Sequence, residues 1–168
     1  MQKEESKGRF LWNIAFFVIA AVIITADQLT KNWIRGYTGE QPIFKAGIFR
    51  IIIVENTGAS FGMFQGQNFV LTIVAVLGIV FILAVAALLT WRFPRVDAWL
   101  PKIALGLILG GTAGNLMDRL NQGYVTDFID IGPWPTFNVA DSSMVVGVIL
   151  LVCYVLFSKR VRDAFPSE

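Results

Sequence analysis

GGTAGNLMDRLNQGYVTDFIDIGPWPTFNVADSS, residues Gly110 to Ser143, is the stretch whose reading decides the fold. It carries Asp118, Asp127, Asp130 and Asp141, four of the chain's 12 acidic residues, and long apolar runs lie on both sides of it. Ionised groups close to hydrocarbon are costly and usually functional. Chemistry is therefore expected between these two apolar runs.

Composition supports a membrane setting. Only 15% of the 168 residues are charged and 55% are hydrophobic, whereas a soluble domain carries about 25% charged residues. The apolar residues come in blocks rather than at amphipathic spacing. A net charge of +2 with scattered basic residues gives no reason to expect nucleic acid as a partner. The chain has no histidine, which removes Ser-His and Cys-His nucleophile pairs and histidine zinc motifs together. Its one cysteine, Cys153, lies in the apolar run ILLVCYVLF, so no intrachain disulfide can form and no metal site or other cofactor is expected. Carboxylates, amides, hydroxyls and cationic groups must do the work.

Four apolar segments are predicted to span, at about 11–32, 69–91, 100–118 and 139–157, within a single domain covering 1–168. The first follows a polar, basic start, as a secretory leader would. Asp27-Gln28-Leu29-Thr30-Lys31 follows it without a small-residue cleavage site, so it is expected to stay as a span. Lys3, Lys7, Arg9, Arg92, Arg95, Lys102, Lys159, Arg160 and Arg162 then lie on one face, against Lys31, Arg35, Lys45, Arg50 and Arg119 on the other. This bias predicts cytoplasmic termini. The inner link, RFPRVDAWLPK, reads as a plain turn. The outer segments, about 33–68 and 119–138, hold β-branched and aromatic runs bounded by glycines, which predict a small sheet at the membrane surface. Trp33, Tyr37, Trp134 and Phe137 suit that interface. The expected class is a mainly α membrane protein of four transmembrane helices with a small β structure on the non-cytoplasmic face.

This topology brings separate polar clusters to one level: Asp27 to Lys31 from the first span, Asn115 to Arg119 from the third, and Asn138 to Ser142 at the start of the fourth. Asn56 and Ser60 belong to the first outer segment. Asp27 and Lys31, spaced i, i+4, are positioned to pair and snorkel, and Arg119 is placed to neutralise Asp118 or Asp27. Gly106, Gly110 and Gly114 recur every fourth residue, the pattern that lets membrane helices approach closely. A strand over Tyr124–Ile131 puts Asp127 on one face with Val125, Ile129 and Ile131. That apolar setting is expected to raise its pKa, while Asp130 on the opposite face reads as solvated. Asp141 lies in the first turn of the fourth span, where the helix N-terminus favours negative charge. Either it or Asn138 is expected to cap that helix.

Two carboxylates in contrasting environments form an acid–base pair: one donates to a carbonyl and the other draws a proton from water. An aspartate dyad is the simplest peptide-hydrolysing device these residues allow. The nearest rival is Ser60 or Ser142 with Lys31, which no spacing singles out. From another class, a small proton- or cation-coupled transporter also explains carboxylates at membrane level. The middles of the second and fourth spans carry no charge, however.

Taken together, Asp27–Lys31, Asn56–Phe61 (NTGASF), Gly110–Arg119 (GGTAGNLMDR), Val125–Phe128 (VTDF) and Phe137–Ser142 (FNVADS) resemble, in order, the motifs of the lipoprotein (type II) signal peptidases. The resemblance implies an intramembrane aspartic endopeptidase of the bacterial cytoplasmic (inner) membrane. Such an enzyme removes the signal peptide from a diacylglyceryl-modified prolipoprotein, cutting just before the lipidated cysteine near the outer face. By the family's pattern Asp127 and Asp141 look like the catalytic dyad. Asn56, Asn115, Arg119 and Asn138 look like substrate-positioning or dyad-supporting residues, and Asp27, Lys31, Gly58 and Asp118 look structural. The outer segments look like the family's cradle and lid. Membrane lipids and globomycin-type inhibitors are implied partners.

Overall fold

The structure, a computed structural model, describes residues 2–59, 63–94 and 96–164. Its elements run α1 (Gln2–Arg35), β1 (Phe44–Ala46), β2 (Phe49–Asn56), α2 (Asn68–Trp91), α3 (Trp99–Asn121), β3 (Val125–Ile131), α4 (Val139–Phe157) and α5 (Lys159–Ala164). Four of the helices are long and apolar enough to cross a membrane, α1 from Gly8 onward. The short α5 is an addition to the sequence reading.

The most apolar helix is not the central one. On α2 only Ile82 and Ala86 are buried, and Phe69, Leu77, Phe81 and Trp91 are exposed. Such a helix is apolar all round because lipid, not protein, is its main neighbour. The glycine-rich α3 is the one the others pack on, with both α1 and α4 against it. A Cβ added at Gly106 would stand 2.7 Å from Phe16 O, and one at Gly110 2.8 Å from Ala20 O, both on α1. On α4, Gly147 meets Ala104 O of α3 at 2.7 Å in the same sense. The expected Gly106, Gly110 and Gly114 pattern thus serves the α1 side of α3, while glycines outside it, Gly111 and Gly147, serve the α4 side. Dispersion grows as these backbones approach, which is what holds membrane helices together where lipid competes for apolar contact.

The three strands form one antiparallel sheet, ordered β1-β2-β3. Gly47, at φ +60°, makes the tight β1–β2 turn that a side chain would strain. A register shift between Ile51 and Val54 then re-aims β2, so that Val54 stands opposite Asp127 and Asn56 opposite Val125. Trp33 and Trp134 are exposed.

At the other end of the bundle, the link between α2 and α3 is more than a plain turn. Val96, Asp97, Ala98 and Lys102 are all buried. Lys102, read as one of the flanking basic residues, instead turns inward: its Nζ donates to Ala86 O (2.7 Å) and Thr90 Oγ1 (2.6 Å) and lies 3.5 Å from Asp97 Oδ1. Tyr154 Oη donates to Val96 O at 2.6 Å and Arg160 to Asp97 O at 3.1 Å. A charge so close to lipid is retained only with partners, and these partners tie α2, α3 and α4 together. Arg95 lies outside the described residues.

At the end that carries the sheet, Lys31 plays the corresponding part. Asp27 and Lys31 do pair, at 2.8 Å, but both are fully buried rather than snorkelling. Lys31 Nζ also lies 3.3 Å from Asp118 Oδ2 and donates to Asn115 Oδ1 at 2.8 Å. Truncating one member of a buried, hydrogen-bonded charge cluster leaves the others uncompensated, at about 3–5 kcal/mol. Lys31→Met is therefore expected to lower folded stability in detergent by that amount, measured by denaturant or thermal unfolding. Gly106→Leu, by forcing α3 off α1, is expected to cost about 1–3 kcal/mol. Gly78→Ala is the control: its nearest neighbour across the helix interface is 3.9 Å away, and no loss is expected.

Candidate active site

Asp127 comes from β3 and Asp141 from the first turn of α4, and Asn138 joins them. Asn138 Nδ2 donates to Asp127 Oδ1 at 2.7 Å. Its backbone N–H donates to Asp141 Oδ2 at 3.2 Å, and its Oδ1 accepts from Asp141 N at 2.9 Å. Sequence left open whether Asn138 or Asp141 caps the helix, and both do, as the two halves of a reciprocal capping box. This places the carboxylate of Asp141 over its own helix start, where the exposed N–H groups favour an anion.

Two further amides complete the support. Asn115 Nδ2 donates to Asp141 Oδ1 at 2.7 Å, while Asn115 Oδ1 accepts from Lys31 and, at 3.1 Å, from Asn138. Asn56 Nδ2 donates to Asp127 Oδ2 at 2.9 Å, and Asn56 Oδ1 accepts from Gly58 N at 2.9 Å. Gly58 is buried, and a Cβ there would lie 2.5 Å from Met63 O, so the loop closes only on glycine. Arg119 reaches the same loop, donating to Gly58 O at 3.3 Å. The four residues expected to support the dyad thus all stand around it. Ser60 lies outside the described residues.

Asp127 is 2% exposed. Burial first, and the neighbouring Asp141 charge second, push its carboxyl up to about 7, against the opposing hydrogen bonds of Asn56 and Asn138. The aliphatic strand face foresaw this direction. Asp141 is only half-buried and opens on a cavity of about 810 Å³ whose wall also holds Asp127, Asn115, Arg119, Leu71 and Val145. Most of that wall is apolar, contributed by α2, α4 and the Trp134–Phe137 segment. Among the described residues no three His, Cys, Asp or Glu side chains converge as a metal site requires.

Three assignments are corrected. Asp130 is buried, not solvated, and Arg50 Nη2 donates to its Oδ2 at 2.6 Å. At this end of β3 Asp130 is on the covered side and Ile131 on the exposed one, because the ion pair with Arg50 draws the carboxylate inward. Asp118 does not brace Arg119. It pairs with Lys31 and Arg35 and accepts from Thr126 N at 2.9 Å. The serine–lysine alternative lacks its base: Lys31 Nζ is held by two carboxylates and Asn115, and Ser142 Oγ donates to Asn138 O at 2.9 Å.

Two contributors went unread. Arg35 Nη1 donates to Thr126 Oγ1 at 2.9 Å and to Asp118 Oδ1 at 3.2 Å. Its signal was present, since Asp27, Lys31 and Arg35 recur every fourth residue on one helix face. Thr126, fully buried, carried no such signal; its role follows from β3 being wedged against the end of α3. Gln28 adds a link from α1 to α3, donating to Gly114 O at 3.1 Å and Asp118 Oδ1 at 3.1 Å.

Known proteins share this arrangement of sequence and fold. A lipoprotein signal peptidase of Dehalococcoides mccartyi is 47% identical over 148 residues, covering 86% of this chain and 91% of the relative. That of Halothermothrix orenii is 33% identical over 150 residues, covering 88% and 99%. Among solved structures, a bacterial membrane enzyme determined by the in meso method at 2.3 Å resolution superposes with a TM-score of 0.73. It is 28% identical, with 91% of this chain and 93% of that one covered. A second, at 1.9 Å resolution, gives a TM-score of 0.70 at 29% identity, with 86% and 94% covered. Residues 19–157 match the model of the family described as signal peptidase (SPase) II. With most of its length matched by that model and by these relatives, the chain belongs to the signal peptidase II family.

Proposed function

We propose that this chain is an intramembrane aspartic endopeptidase that cleaves the signal peptide from diacylglyceryl-modified prolipoproteins, just before the lipidated cysteine. The observation that carries the reading is the pair Asp127 and Asp141 on one wall of an apolar cavity, each hydrogen-bonded through both carboxylate oxygens. Family membership supplies the substrate class, prolipoproteins. The cavity's apolar lining, to which α2 and α4 contribute, suits acyl chains and a signal helix lying against the bundle. The positive-inside bias supports cytoplasmic termini and a dyad near the outer face of the membrane. Globomycin-type inhibitors would compete for the same cavity.

Asp127, the more deeply buried acid, donates its proton to the carbonyl oxygen of the scissile bond. Asp141, open to the cavity, takes a proton from the water that attacks the carbonyl carbon. The tetrahedral intermediate collapses as Asp141 returns that proton to the leaving nitrogen, and Asp127 recovers its own from the former carbonyl oxygen. Neither a metal nor a nucleophilic side chain enters these steps. Arg119, half-buried at the cavity wall, is placed to hold the substrate backbone.

Asp127→Asn and Asp141→Asn are each expected to lower turnover of a diacylated prolipoprotein by about 10³-fold or more while the proteins remain folded and membrane-inserted. A gel-shift cleavage assay reads this, and wild-type-like turnover by either variant would remove the dyad. The protonated form of Asp127 disappears as pH rises through about 7, so kcat/KM is expected to fall across that range. Asn56→Ala deletes a donor that favours the ionised form, so it should move this limb to higher pH. A pH profile flat through neutrality in wild type would contradict Asp127 as the acid.

A further inference from the structure

β2 is paired on both sides only over its first residues. β1 covers it from Phe49 to Ile51 and no further. Beyond that point Val54, Glu55 and Asn56 pair with β3 on one side, and among the described residues no strand lies on the other. The reason is in the sequence: Pro42, one residue beyond Ile43, has no N–H to continue the ladder. Instead the side chain of Gln41 reaches across, and its Oε1 accepts Ile53 N–H at 3.2 Å. A side-chain amide thus occupies the place of a strand's carbonyl.

Main-chain groups alternate in direction along a strand. Ile51 O accepts from Ile43 N and Ile53 N–H donates to Gln41, both toward the β1 side. Past the register shift the direction is set by β3: Thr126, opposite Glu55, turns its own N–H away from β2 to Asp118 Oδ2. This is therefore a pair whose main-chain groups face outward, and Glu55 N–H and C=O point to the side that no described strand covers. This edge leads directly to the dyad. Val54, Glu55, Asn56 and Thr57 form one wall of the same cavity as Asp127 and Asp141, and Asn56 is hydrogen-bonded to Asp127.

We infer that the open edge of β2, from Ile53 to Glu55, receives the substrate's extended segment just after the scissile bond as an added antiparallel or parallel strand. The inference rests on the peptidase reading above and deepens it. A scissile bond set against both carboxylates is best presented by an extended chain, and Val54 to Thr57 wall the cavity that such a chain must leave. Main-chain pairing is indifferent to side chains, so the edge would hold the start of many different mature sequences, while the apolar cavity reads the lipid and the signal helix. Gln41 keeps the edge occupied until the substrate arrives, which also blunts it against pairing with a second copy of the chain.

The test uses the full-length enzyme and diacylated peptides carrying a single N-methyl group at successive residues after the lipidated cysteine. N-methylation removes one donor without changing the side chain. Alternate positions should lose about tenfold in kcat/KM and the intervening ones little. Equal tolerance, or equal loss, at all positions would overturn the inference. A second arm locates the edge: in a Cys153→Ala background, Glu55→Cys should form a disulfide with a cysteine placed in that segment, since paired residues bring their Cβ atoms close. Failure of this cross-link at every segment position would place the peptide elsewhere and equally overturn it. If the unmodified diacylated peptide is itself not cleaved, the peptidase reading falls, and the inference with it.

Discussion

The buried ammonium of Lys31 is the contact on which the rest of this site depends. Asp27, Asp118 and Asn115 all converge on it, and each makes a further hydrogen bond to β3 or to the start of α4. Asp27 Oδ1 accepts from Ala140 N at the start of α4. Asp118 Oδ2 accepts from Thr126 N of β3. Asn115 donates to Asp141. One cation therefore fixes where α1, α3, α4 and β3 meet. In a low-dielectric setting each of these groups would be costly alone, so the cluster forms as a whole or not at all.

The two carboxylates that face the cavity are held by a second tier of neutral amides. This division follows from electrostatics. A cation directly on these two acids would hold both ionised, whereas amides can satisfy a carboxylate in either state. Asn138 makes the arrangement economical, because the contacts that cap α4 are also those that orient Asp141, and its amide N–H reaches Asp127. The opposite end of the bundle repeats the first tier: Lys102 and Asp97 tie helices together there as Lys31 does at the end that carries the sheet.

Legibility varied with the origin of each signal. Asp27 and Lys31 pair within one helix, so spacing alone placed them together, as it placed the glycine face of α3. The helix start at Asn138–Asp141 was equally readable, because a cap is a local event. Asp130, Asp118 and Lys102 were misassigned for a common reason. Each finds its partner on another element, Arg50 on β2, Arg35 on α1 and Thr90 on α2, and neither periodicity nor charge counting reports a contact across elements. Hydropathy likewise marked α2 as the strongest span without revealing that α3 lies at the centre.

By itself, then, the sequence determined the four apolar helices and the small sheet, and singled out Asp127 and Asp141 as the candidate pair, because hydrophobic runs, strand alternation and motif spacing are written along the chain. Only the tertiary structure decided which cation neutralises which carboxylate, that Asp130 is buried, and that β2 is left half unpaired beside the cavity. Those outcomes depend on distances between residues dozens of positions apart, where the cost of burying an unpaired charge or N–H selects the partner.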